Sequence, residues 1–150
     1  MIDRKIVLTL LIIGLLLIPC TYAALNTNLK APNEFEKASN WNTTIYDIYT
    51  LKNDNNTQLY ICNYTEKDYD LLFKDDPANN YQISKLSNNT IIGKDNELKD
   101  GYILETIETD GNKYIVYILL LDNPTDTQIK DAMKYLTEFN KLNNVEPINT

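Results

Sequence analysis

The stretch YILETIETDGNKYIVYILLL, residues 102–121, decides the fold of this chain. Its two halves, 102–109 and 113–121, are rich in β-branched and aromatic residues, which favour strands. Between them stands Asp110-Gly111, a dipeptide typical of a two-residue hairpin turn, because that turn needs positive φ angles. The stretch therefore predicts an antiparallel hairpin.

The register and the burial of this hairpin follow from the same residues. The turn pairs Thr109 with Asn112. It also pairs Glu108 with Lys113, so an opposite-charge pair supports the register. Residues 114–121 are apolar on both faces, whereas a half-exposed strand would alternate. They predict a central strand of a larger sheet, with a cover on each face.

A helix is predicted over residues 125–143, directly after the hairpin. Thr125 and Gln128 match a capping box, in which two side chains satisfy free backbone N–H groups at the start of a helix. An apolar stripe at helical spacing then predicts the side of the helix that docks on the sheet. The stripe consists of Ile129, Ala132, Met133, Leu136, Phe139 and Leu142. Residues 144–150 are predicted to form a tail.

Upstream residues predict four further strands and a short helix. Residues 44–51 and 57–64 flank a polar turn as a hairpin, and residues 80–86 pair with 90–93. Thr65 precedes acidic residues and is the predicted N-cap of the short helix. The fold class is therefore α+β, an antiparallel sheet of about five to six strands with a long C-terminal helix packed on one face. An N-terminal hydrophobic helix precedes it.

The N-terminal residues predict export. Arg4 and Lys5 precede an uncharged, strongly apolar run, residues 6–19. Small residues follow, with Thr21 and Ala23 at the two positions that a signal peptidase reads. This pattern is typical of a secretory signal peptide, and we expect cleavage after Ala23. The rest of the chain is then extracytoplasmic.

Two other processing routes stay open. Residues 6–25 would extend about 30 Å as a helix, which just suffices for an uncleaved membrane anchor with Arg4 and Lys5 inside. Acylation of Cys20 would instead make a lipoprotein, although Pro19 before it fits that processing site poorly. The chain accordingly divides into a signal peptide or N-terminal membrane anchor, 1–24, an extracytoplasmic α+β domain, 25–143, and the tail, 144–150.

Composition excludes several classes of function. The chain carries 14 basic and 21 acidic residues, so a phosphate backbone would be repelled and no nucleic-acid partner is expected. Histidine is absent, which removes the usual general base and the commonest metal ligand. Cys20 and Cys62 are too few for a zinc ribbon or a disulfide scaffold. Cys62 is expected to be a buried small hydrophobe, with an intermolecular bond as the alternative.

Carboxylates leave two chemistries open. A glycosidase-like acid and base pair needs two facing carboxyl groups, but Glu105 and Glu108 are three apart on a strand and point to opposite faces. A partly solvated or paired structural acid is the expectation for Glu105, but it shares its predicted face with apolar residues, so a buried carboxyl with a raised pKa is the alternative. Residues 95–101 form an acidic loop suited to calcium, although Lys99 and the late Gly101 depart from the EF-hand pattern.

Two sets of polar and aromatic side chains are candidates for the surface. Asn42, Asn55 and Asn88 stand in Asn-x-Thr triplets and are the predicted acceptors of N-linked glycans, whereas Asn63 lies on a predicted strand. Aromatic residues would make either a binding face or packed sheet surface, and packing is the expectation. They are Trp41, Tyr46, Tyr49, Tyr60 and Tyr64.

Three segments of the chain resemble a known group of proteins. They are LKAPNEF at 29–35, ETDGNKYIV at 108–116 and YLTEFNKLNN at 135–144. Together they resemble small exported proteins of methanogenic archaea, a group without an assigned function. The Pro-x-x-Phe start, the antiparallel strands and the closing helix also look like the PsbP-like fold. The resemblance implies an archaeal surface location and carries over no catalytic or binding position.

These observations favour a non-enzymatic extracytoplasmic domain for surface or envelope interaction, either secreted or membrane-anchored. Its expected partners are the membrane, through the N-terminal segment, and an unknown surface protein or polymer. No catalytic residue, no metal site and no cofactor is expected. Two alternatives stay open: an acidic small-ligand or calcium-binding module, and a carboxylate-dependent hydrolase.

Overall fold

A computed structural model describes residues 25, 27–38, 45–73, 81–87, 89–95, 97 and 99–145. The predicted N-terminal hydrophobic helix and residues 146–150 lie outside this part of the chain. The described elements are strands β1 (Phe35–Lys37), β2 (Tyr46–Leu51), β3 (Asp54–Asn63), β4 (Tyr81–Lys85), β5 (Thr90–Asp95), β6 (Gly101–Thr109) and β7 (Asn112–Leu120), and helices α1 (Glu66–Phe73) and α2 (Asp126–Leu142). Neither of these two helices is long and apolar enough to cross a bilayer.

The described strands form one antiparallel sheet in the order β1-β2-β3-β7-β6-β5-β4. β7 lies in the middle, between β3 and β6, which confirms the prediction of a central strand. The β6–β7 register is also as predicted, with Glu108 opposite Lys113. Asp110 and Gly111 have φ angles of 51° and 73°, the left-handed values that a tight hairpin turn requires. The α+β class is confirmed.

The predicted count of five to six strands was too low, because the sheet has seven. The strand that the sequence did not predict is β1, whose three residues pair with Tyr49, Thr50 and Leu51 of β2. A strand this short shows no alternation in the sequence, and its pairing depends on a distant segment. The β2–β3 turn is also tighter than predicted: Lys52 and Asn53 form it, with a register shift between Thr50 and Leu51.

One face of the sheet packs against α2 and holds the larger hydrophobic cluster, which we call core one. The predicted capping box is present at the start of this helix. Thr125 accepts a hydrogen bond from the Gln128 N–H, and the Gln128 side chain accepts one from the Thr125 N–H. The buried residues of core one are Phe35, Leu59, Ile61, Ile103, Ile107, Tyr114, Val116, Ile118, Leu120, Ala132, Leu136, Phe139 and Val145.

The docking stripe of α2 is narrower than predicted. Met133 is 43% exposed and Leu142 is 40% exposed, so the prediction that they dock on the sheet was wrong. A helix meets a sheet along a line, and these two residues lie to either side of the line that runs through Leu136. Asn140, one helical turn after Leu136, lies on the docking side instead.

The opposite face of the sheet holds a second cluster, which we call core two. β7 supplies Ile115 and Leu119 to this core and Val116 and Ile118 to core one, as its continuous apolar run predicted. α1 lies on this side, where the Tyr69 and Tyr64 ring centroids are 5.7 Å apart. The buried residues of core two are Ile48, Tyr60, Cys62, Ile91, Tyr102, Leu104, Ile115 and Leu119.

Gly93 makes a close contact that fixes the pairing of β5 with β6. It lies opposite Tyr102, whose ring covers it so closely that a Cβ at position 93 would be 2.0 Å from Tyr102 Cζ. Because the ring is buried, we expect Gly93→Ala to lower the free energy of unfolding by about 1–3 kcal/mol. Urea denaturation measures this change. Tyr102→Leu removes the ring, so the double variant should lose less free energy of unfolding than the sum of the losses in the two single variants. Losses that simply add would contradict the clash.

The segment before β1 packs along the C-terminal end of α2. The Asn143 side chain accepts a hydrogen bond from the Lys30 N–H at 2.7 Å and donates one to the Lys30 carbonyl at 2.9 Å. Leu25 and Leu29 pack against core one, and Val145, within the predicted tail, is buried there. Packing of the described residues therefore begins at Leu25 and extends past residue 143.

Candidate functional site

Glu105 on β6 is an acidic residue enclosed by core one. Ile103 and Ile107 flank it on the same face of the strand, and Val116 is its cross-strand partner on β7. Glu105 is 5% exposed, so the carboxyl is buried and the expectation of a partly solvated side chain was wrong. Carboxyl groups are rarely buried to this extent unless another group compensates, so Glu105 is the candidate functional residue of the domain.

Asn140 on α2 is the hydrogen-bond partner of Glu105. Its side-chain amide can donate from Nδ2, and this bond favours the ionised carboxylate. Two oxygens of this pair, Oε1 of Glu105 and Oδ1 of Asn140, are buried without a hydrogen-bond partner in the described part of the chain. The unsatisfied oxygens thus belong to two side chains that one hydrogen bond already joins.

Burial decides the protonation of Glu105. It raises the pKa of the carboxyl group from 4.5 to about 7, and the hydrogen bond from Asn140 lowers that pKa by a smaller amount. Near neutral pH the group therefore exchanges a proton, which is the property that a general acid or base needs. Here the carboxyl lies between β6 and Asn140 of α2, enclosed by the apolar side chains of core one.

Glu105 and Glu108 do not come together as an acid and base pair, as their spacing on the strand predicted. Glu108 is exposed, and its Oε2 lies 3.9 Å from Lys113 Nζ. It points to the opposite face from Glu105, as the three-residue spacing predicted. Within the residues that the structure covers, no three side chains of the His, Cys, Asp or Glu types are placed to hold a metal ion.

The acidic loop at residues 95–101 is tied into the fold by two buried carboxylates. Asp95 accepts a hydrogen bond from the Glu97 N–H at 2.7 Å, and Asp100 accepts one from the Asp122 N–H at 2.8 Å. Burial raises the pKa of Asp100, and the bond from Asp122 opposes that rise. Asp122 has a φ of 61°, so Asp100 stabilises a turn in the left-handed region. These contacts give Asp95 and Asp100 a role in holding the local backbone.

The predicted tyrosine face is mostly packed sheet surface. Tyr60 belongs to core two, and the half-buried Tyr46 and Tyr64 pack against it. Tyr49 packs against core one instead, and Trp41 lies outside the described residues. Tyr60 stacks on Tyr117, with ring centroids 4.7 Å apart and planes 3° apart. Tyr60 is also buried, so the expected packing role is confirmed for this residue, and the burial raises its pKa to about 12.

Cys62 is buried in core two, as predicted. Its thiol donates to the Ile115 carbonyl at 3.7 Å, and burial raises its pKa. We expect a disulfide reagent to react with native Cys62 at least about a thousandfold more slowly than with the unfolded chain, since the thiol is reached only when the domain opens. The measurement uses the full chain carrying Cys20→Ser, with and without guanidinium. Equal rates would show that Cys62 is accessible.

One predicted glycan acceptor, Asn55, lies within the described residues, whereas Asn42 and Asn88 lie outside them. Asn55 is exposed at the start of β3. Thr57, the third residue of its triplet, is buried, and the Thr57 hydroxyl donates to Asp54 at 2.8 Å. Because the acceptor triplet includes this hydroxyl, a glycan at Asn55 would have to be attached before β3 pairs in the sheet.

Sequence reasoning found Glu105 but missed Asn140. Alternation along β6 placed Glu105 on the face of Ile103 and Ile107. A signal for Asn140 was present, because it stands four residues after Leu136 and so shares its side of the helix. Asparagine is mostly a surface residue, however, and the predicted stripe included apolar residues alone.

Known proteins supply no identity for this site. Compared with known protein families and with curated proteins, the chain matches none. The resemblances to exported archaeal proteins and to the PsbP-like fold therefore stay predictions, and the function has to be argued from the residues.

Proposed function

We propose that this chain is a non-enzymatic extracytoplasmic domain, secreted or held on the cell membrane by its N-terminal segment, that acts through its surface in envelope or cell-surface interaction. One observation carries the proposal. An apolar run at residues 6–19, preceded by Arg4 and Lys5, is followed almost at once by Leu25, the first described residue that packs against core one. Kinship with exported archaeal proteins is part of the same proposal.

The short distance between the apolar run and the domain supports this arrangement. Leu25 and Leu29 pack against core one, and Lys30 is bonded to Asn143 at the end of α2. Cleavage after Ala23 would therefore leave every described packing residue on the mature protein. An uncleaved anchor would hold the domain directly at the outer surface of the membrane.

The reactive side chains of the described residues support a non-catalytic role. Glu105 is enclosed between the sheet and α2, and Cys62 is buried with a raised thiol pKa. Asp100 is engaged in holding the turn at Asp122. Each of these groups therefore contributes to the fold, and interaction through the exposed surface is the function that fits this use.

The N-terminus and the accessibility of the full chain in intact cells test the proposal. Mass spectrometry of the purified protein should find the N-terminus at Ala24, an intact Met1 in the membrane fraction, or an acylated Cys20. It also detects a glycan at Asn55. A membrane-impermeant amine reagent applied to intact cells should label exposed lysines such as Lys85.

A matched variant controls for leakage of the reagent into the cells. Ile12→Arg with Leu16→Arg interrupts the apolar run and should leave the protein inside, unlabelled. Wild-type protein that is unlabelled, dissolved in the cytosol and still carries Met1 would overturn the proposal. Cross-linking on intact cells then addresses interaction, and a freely diffusing monomer in the medium would count against surface attachment.

A further inference from the structure

Two buried oxygens without donors mark the contact between β6 and α2. Among the residues that the structure describes, Oε1 of Glu105 and Oδ1 of Asn140 have no hydrogen-bond partner, although their side chains share one hydrogen bond. Two acceptors cannot satisfy each other, and leaving both unpaired in an apolar core is costly. A single proton on Oε1 would give both oxygens a hydrogen-bond partner, because the resulting Glu105 hydroxyl can donate to Oδ1 of Asn140.

We propose that Glu105 is held as the neutral acid in a two-bond pair with the Asn140 amide, and that loss of its proton is a switch that loosens α2 from the sheet. In the closed state the Asn140 amide donates to one carboxyl oxygen and the protonated Oε1 donates to Asn140 Oδ1. On ionisation the proton passes to water and this second bond is lost. A carboxylate is then enclosed in core one, and release of α2 is the movement that hydrates it.

The elements around Glu105 present neutral side chains to it. Val116 on β7 and Thr90 on β5 are its cross-strand partners, and Asn140 faces it from α2. Two charged residues of α2 are close to Asn140 in sequence: Glu138, two positions before it, and Lys141, one position after it. At these spacings they project from other sides of the helix. Tyrosine, uncharged until well above neutral pH, is the other titratable residue type of core one. Its members there are Tyr49, Tyr114 and Tyr135.

The pH range of the switch follows from the burial of the carboxyl group. Its pKa is raised from 4.5 to about 7 in the closed state, and opening returns it to its ordinary value. The equilibrium constant for opening of α2 therefore rises by about tenfold per pH unit between pH 4.5 and about pH 7, and it is constant above that range. The whole change is about 300-fold, with α2 held most tightly at acid pH.

Hydrogen exchange of the α2 amides in the full chain tests the switch. Glu105→Gln keeps both bonds without a charge, because its amide donates to Asn140 Oδ1 and its carbonyl accepts from Asn140. The ratio of wild-type to variant exchange rates removes the intrinsic pH dependence of exchange. We expect this ratio to be near one at about pH 4 and to reach about 300 at about pH 8. Glu108→Gln on the same strand should follow the wild type.

Infrared spectroscopy of the wild type reads the proton directly and does not depend on the folding of Glu105→Gln. A carboxylic-acid carbonyl band should persist at about pH 6, where exposed carboxyl groups are ionised, and disappear above about pH 8. The band should remain in Glu108→Gln. Loss of all acid bands well below about pH 6, or parallel exchange of the wild type and Glu105→Gln at every pH, would overturn the proposal.

Discussion

Glu105→Gln should raise the free energy of unfolding by about 3 kcal/mol at about pH 8 and leave it unchanged at about pH 4. The wild type has to enclose a carboxylate at the higher pH, whereas glutamine keeps the neutral two-bond pairing with Asn140 at every pH. Urea denaturation of both proteins over this pH range measures the difference.

The sign of this pH dependence follows from the protons that each state binds. Below pH 4.5 the Glu105 carboxyl is protonated in both states, so its full contribution to stability is present. Between 4.5 and about 7 the folded state keeps a proton that the unfolded state has lost, so stability falls as the pH rises. Above about 7 both states are ionised and the contribution has been lost. The interval corresponds to about 3 kcal/mol, at about 1.4 kcal/mol per pH unit.

Glu108→Gln is the matched control for this experiment. Glu108 is a glutamate of the same strand, but it is exposed and lies 3.9 Å from Lys113. Its substitution should change the free energy of unfolding by less than about 0.5 kcal/mol at any pH in this range. Because every other carboxyl group titrates equally in the three proteins, parallel profiles for the wild type and Glu105→Gln would mean that Glu105 is hydrated in the folded state.

The parts of the fold that could be predicted from sequence are the parts that local chemistry determines. Asp110 and Gly111 specify a turn that is complete within a few residues, and that turn sets the β6–β7 register. Thr125 and Gln128 satisfy the first backbone groups of α2 by themselves. β1 has no such local signal, because its three residues become a strand only by pairing with β2.

The candidate site could be predicted only on its strand side. Strand alternation is a fixed period of two, so the position of Glu105 among apolar neighbours follows from β6 alone. Its contact with Asn140 depends on the exact rotation of α2 about its axis against the sheet, which the apolar stripe sets only approximately, since that stripe also includes the exposed Met133 and Leu142. Polar residue types give no sign of this rotation, because asparagine and glutamate are both common at exposed positions.

Phe139→Ala should lower the free energy of unfolding by about 3–5 kcal/mol, one of the largest losses expected from a single substitution in this domain. The Phe139 ring is fully buried in core one, where α2 meets the sheet. Alanine removes its apolar surface and leaves a cavity that the strands cannot fill by collapse, since β6 and β7 are held by neighbours on both sides. Thermal or urea unfolding at about pH 5, where Glu105 is protonated, isolates this packing loss from the pH effect.

Met133→Ala shows whether the loss of stability in Phe139→Ala comes from removing a buried side chain or from removing any apolar side chain of the stripe. Met133 stands on the same helix and in the same predicted apolar stripe, but it is 43% exposed. Its substitution by alanine removes little buried surface and introduces a stronger helix former, so the change should stay below about 1 kcal/mol. Comparable losses in the two variants would mean that α2 is rotated, with Met133 turned toward the sheet. Asn140 stands seven residues after Met133 and so lies within about 20° of it around the helix axis, which means that such a rotation would move both side chains together. This pair of variants therefore tests the orientation of α2 on which the proton switch depends.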